Sequence, residues 1–152
     1  MLRRVAGKIS GLQRKSRTEI VWIIPAWLLL GAARSAVVFV SFEKIVRMLG
    51  LTSRAFPATP VASQRQREKA RKLGLAIVFA AKYSPWLANC LPQALCATIL
   101  LRFHKIPHAV FLGLLRDHDK GSVIAHAWVC AGDLTVTGGG DPRSYTIVGC
   151  FD

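Results

Sequence analysis

The chain changes its hydrophobic period once, at Ile106-Pro107, and that change fixes its class. Before it, apolar residues recur at helical spacing; after it, they alternate. Ile20 to Val40 is an almost continuous apolar run, interrupted by Pro25 and Gly31, and reads as two consecutive helices or one kinked one. Ser41 can cap a short helix to Leu49, which Gly50 can stop. Leu51 to Ala62 carries Pro57 and Pro60 and reads as a linker. Ser63-Gln-Arg-Gln66 fits a capping box opening a charged helix, Gln64 to about Tyr83, which Ser84 and Pro85 end. Asn89 can cap the next helix, with Cys90 as its first residue and Pro92 in the first turn, running to about His104.

Beyond Pro107 the candidates are strands: His108 to Leu115, Val123 to Ala131, a tight turn at Gly132-Asp133, Leu134 to Thr137, and Tyr145 to Phe151 after the glycines 138–140. Helices followed by a mostly antiparallel sheet make an α+β fold. Two segments are expected within one compact unit. Residues 1–62 hold a basic arm and the N-terminal helices, and residues 63–152 hold the core. No internal repeat is visible.

Charge narrows the partners. Twenty-one Lys and Arg face 8 Asp and Glu, a formal net charge of +13. So large an excess calls for an anionic partner. Arg3, Arg4, Lys8, Arg14, Lys15 and Arg17 form an acid-free arm before the apolar run. That run meets the length needed to span a bilayer, roughly 20 residues. Pro25, Gly31 and Arg34 inside it favour a helix packed on the domain, with membrane association the lesser reading. No helix-turn-helix, zinc-finger or stacking-aromatic motif supports nucleic acid. Four cysteines without C-x-x-C spacing, and no signal peptide, point to free thiols in the cytoplasm.

Two residues stand out chemically. A thiol at the first position of a helix faces unpaired backbone N–H groups and the positive end of the helix dipole, and both favour thiolate. The same N–H groups can receive an oxyanion. Taken alone, Cys90 reads first as a buried structural cysteine. His126 lies mid-strand in Ala-His-Ala-Trp-Val, where alternation puts His126, Trp128 and Cys130 on one face and Ala125, Ala127 and Val129 on the other. An imidazole can take a thiol proton near neutral pH. Asp141, after the glycines, is the candidate for orienting the imidazole; a Cys–His dyad is the alternative. Asp133 reads as a turn residue, Asp119 as solvated, and Cys96, Cys130 and Cys150 as structural. His104 and His108 receive no role. No metal site and no cofactor are expected.

The stretch from Asn89-Cys-Leu-Pro-Gln-Ala through Leu-Leu-Arg-Phe-His-Lys-Ile-Pro107, with Phe111-Leu-Gly113 and Ala125-His-Ala-Trp-Val129, resembles the transglutaminase-like peptidases. With Ala26 to Arg34 and Phe42 to Gly50, it is similar to the leader peptidases of lasso-peptide biosynthesis. The resemblance implies a papain-like core with the nucleophile at a helix N-terminus packed on a small sheet. It implies a cytoplasmic cysteine peptidase that removes the leader of a ribosomally made precursor, with Cys90 and His126 catalytic. Its partners would be a separate leader-recognition protein and an ATP-dependent macrolactam synthetase. The family's usual Asp, about a dozen residues after the His, falls on Gly138. Competing readings are another acyl-transfer enzyme or amidase on this scaffold, a non-catalytic basic peptide-binding module, and an integral membrane protein.

Overall fold

The computed structural model describes residues 17–117 and 122–152, so most of the basic arm and Asp119 lie outside the described residues. Four helices come first: α1 (Arg17–Phe39), α2 (Phe42–Met48), α3 (Gln64–Lys82) and α4 (Cys90–Phe103). Four strands follow: β1 (Ala109–Asp117), β2 (Ser122–Ala131), β3 (Leu134–Thr137) and β4 (Thr146–Phe151), with a 3-10 turn at Pro142–Ser144 before β4. They form one antiparallel sheet in the order β3-β2-β1-β4. The fold is mixed, helices against a small antiparallel sheet.

Of the two expectations, two helices or one kinked helix, the apolar run forms a single helix, with Pro25 inside it. Pro25 removes one i→i−4 bond, from the carbonyl of Val21. Val21 is 66% exposed, on the outer side of the helix. Ala26, Leu30 and Ala33 on the opposite side are buried and fasten the helix to the rest.

The expected capping box at the start of α3 is present, with Ser63 Oγ accepting from Gln66 N and Ser63 N donating to Gln66 Oε1. Gly132 turns β2 into β3 at φ +62°. Asp133 beside it pairs with Arg67 of α3 at 2.5 Å, which holds its carboxyl below the usual range.

The main core lies between the helices and one face of the sheet. Leu73 and Ile77 of α3, Ala97 and Leu101 of α4, and Val110, Ala127 and Val129 of the strands share it. The other sheet face carries a second cluster, Ala109, Phe111, Trp128 and Cys150, with Cys130 and Tyr145 at its edge. Both faces of β2 are therefore buried along part of their length.

Candidate active site

Cys90 is the first residue of α4, after an extended Asn89 (φ −72°, ψ −165°). Asn89 makes no side-chain cap, so its amide does not occupy the first-turn N–H groups. The thiol is half-buried and packs at the margin of the main core. It opens on a cleft of about 280 Å³ whose other walls include Leu91, Leu112, Ala125, Ala127 and Val148. His126 and Gly113 also line this cleft. The lining is almost wholly apolar, suiting an uncharged side chain near the thiol.

His126 is placed by register. It faces Gly113 across the β1–β2 pair, while Leu112 faces Ala127. Leu112 and Ala127 belong to the helix-facing side, so His126 projects to the other. There its ring stacks on Tyr145 (centroids 4.9 Å, 28° between planes) and on Trp128 (5.9 Å, 23°). Trp128 continues the stack onto Phe111. Gly113 makes this possible: a Cβ there would come within 2.8 Å of the Trp128 ring and of Tyr145 Cβ.

His126 Nε2 lies 3.2 Å from the carbonyl oxygen of Gly138. A carbonyl only accepts, so Nε2 is the donor here, and in the neutral ring that leaves Nδ1 as the acceptor. Gly138 has φ +85°, and a Cβ on it would lie 2.5 Å from Trp128 Cβ and 2.6 Å from Ala127 O. No side chain fits there without displacing β2. The position at which the resemblance expects an aspartate is therefore filled by a backbone carbonyl aimed at the same imidazole.

Asp141 was the expected orienting acid, and its carboxylate is engaged elsewhere. Exposed at the start of the 3-10 turn, its Oδ1 accepts from Arg143 N at 3.1 Å. The local pull of the Asp-Pro-Arg turn outweighs any reach back toward β2. Sequence reasoning missed Gly138 O because every residue has a carbonyl; the trace it leaves is a glycine where φ must be positive.

Cys90 and His126 thus reach one cleft but are not joined by a hydrogen bond among the described residues, and the imidazole ring stacks on the face turned from α4. Two of the other thiols are held in the protonated form. Burial pushes Cys96 up to about 12, and burial also raises Cys130 despite its contact with Thr135. His108 is buried with Nδ1 2.9 Å from Ile106 O. The described residues hold no cluster of three or more His, Cys, Asp or Glu fit for a metal.

The family model described as the transglutaminase-like superfamily matches residues 36–149. No curated protein and no solved structure matches the chain.

Proposed function

The chain belongs to the transglutaminase-like superfamily, and from that premise we propose that it is a cysteine peptidase that removes the leader from a ribosomally made precursor peptide of the lasso type. The observation that carries the reading is Cys90 at the first residue of α4, on an apolar cleft that His126 also lines. In this scheme His126 Nδ1 takes the proton from Cys90 Sγ, and the thiolate attacks the carbonyl carbon of the last leader residue. First-turn N–H groups of α4 donate to the oxyanion. The imidazolium gives its proton to the leaving amine, and water then hydrolyses the thioester. Asp141 has no step here.

That proton transfer needs Nδ1 at hydrogen-bond distance from Sγ. The described residues show no such contact, and the ring stacks on the sheet face turned from α4, so in this reading binding of precursor or recognition protein must move the imidazole itself into the cleft. The partners of this reading are the leader segment, a separate leader-recognition protein and an ATP-dependent macrolactam synthetase, in the cytoplasm. Cys90→Ala should abolish precursor cleavage in the presence of the recognition protein, and retained cleavage would end the proposal. Added mass on an amine acceptor, in place of free leader and core, would instead assign a transglutaminase reaction.

A second reading, a non-catalytic basic peptide-binding module, is favoured by one observation: the His126 ring stacks on Tyr145, on the face turned from α4. Under it, Cys90→Ala would leave peptide binding and maturation unchanged.

A further inference from the structure

Between Ile20 and Phe39 helix α1 is apolar apart from Arg34 and Ser35, yet only 17% of its most apolar 18 residues are buried. So apolar a surface calls for low-dielectric surroundings beyond the domain. Ala26, Leu30 and Ala33 meet the domain. Stepping at 100° per residue, Val21, Ile24, Leu28, Ala32, Ser35 and Phe39 fall on the opposite side as one stripe. Its large residues are bare: Val21 66%, Ile24 70%, Leu28 60% and Phe39 85% exposed.

The surroundings of the stripe are specific. Near its N-terminal end, Trp22 packs edge-on to Phe103 (5.7 Å) and His104 (4.7 Å), and Phe103 is itself 72% exposed. His104 in turn borders a surface concavity with Arg65, Lys69 and Lys72 of α3, where Glu68 is the one carboxylate. A basic patch thus lies by the N-terminal end of α1, on the Trp22 side that packs against the core, about 120° round the helix from the stripe. In sequence, an acid-free basic arm leads into the same end.

We propose that α1 seats the protein on the surface of an anionic lipid bilayer, the stripe Val21–Ile24–Leu28 entering the acyl boundary and Arg65, Lys69 and Lys72 meeting the headgroups. Apolar area and headgroup attraction add in such seating. The buried Ala26–Leu30–Ala33 side ties α1 to the domain, so the helix lies in the interface and does not span. The net charge of +13 favours anionic lipid over a second copy of this equally basic chain.

The test is flotation of the full-length chain with phosphatidylcholine vesicles, with and without phosphatidylglycerol. Binding should require the anionic lipid and weaken with salt. The double variant Ile24→Glu/Leu28→Glu should bind about tenfold more weakly or worse. Lys69→Glu/Lys72→Glu should lose about as much. Circular dichroism checks folding, and single Leu28→Ser serves if the double variant unfolds. Failure of the full chain to float, or unchanged flotation of a folded stripe variant, would overturn the proposal. So would self-association that the stripe substitution abolishes without vesicle binding, or a carbonate-resistant span of α1.

Discussion

Gly138→Ala removes nothing from the protein and should still damage it. The added Cβ would lie 2.5 Å from Trp128 Cβ, 2.6 Å from Ala127 O and 2.7 Å from Trp128 Cα. Two of the three are β2 main-chain atoms, which cannot swing aside as a flexible side chain would. Holding a residue with a Cβ at φ +85° costs about 1–2 kcal/mol. Overpacking adds about 1–3 kcal/mol. Shifting the 138 carbonyl from His126 Nε2 adds about 1 kcal/mol. The sum is roughly 3–6 kcal/mol, and for a chain of this size each kcal/mol lowers Tm by about 2–4 °C. A fall of about 6 °C or more is expected by calorimetry or circular dichroism. Gly139→Ala is the control, since a Cβ there meets nothing within 4 Å. A Gly138→Ala protein melting within 2 °C (an assay threshold of about 0.5–1 kcal/mol) of the parent would refute the reasoning. Gly138→Asp should be destabilised at least as much, and so should not rebuild a triad.

Asp141→Ala should cost only a turn cap, about 1 kcal/mol or less, and leave peptidase activity within about twofold; a tenfold loss of activity would place that carboxylate on His126 after all. His108 is held below its ordinary 6.5, chiefly by burial, and His104 shifts the same way. Their neutral forms are favoured in the fold, so stability is complete above pH 6.5 and falls as pH drops through it; the urea midpoint should be lower at about pH 5.5 than at about 7.5, and a flat or rising midpoint would contradict this. Cys96, buried and pushed up to about 12, should resist alkylation in the native protein while Cys90 reacts, as peptide mass mapping would record.

Much of this was legible in residue order. Ser63 and Gln66 announce the start of α3 through a reciprocal pair of local hydrogen bonds, which need no tertiary context. The Gly132-Asp133 turn and β3 follow from local turn chemistry and alternation in the same way. The face of β2 was half legible. Alternation grouped His126 with Trp128 and Cys130, but it could not say which face α4 covers, because Trp128 and Val129 are both buried. With no polar face to mark solvent, only the long-range pairing of Gly113 with His126 decides it. At Pro25 residue order left open whether one helix or two would form, and the run stays one helix. The orienting acid was sought among carboxylates, whereas the acceptor lies in the main chain.

The most direct measurement is the alkylation rate of Cys90 near pH 7 in the parent protein and in His126→Ala, followed by mass spectrometry with precursor peptide and recognition protein present. If the imidazole takes the thiol's proton in the assembled cleft, the variant should react about tenfold more slowly or worse. Equal rates in the two proteins would mean that the thiol and the ring never meet, and the peptidase reading would give way to the binding module.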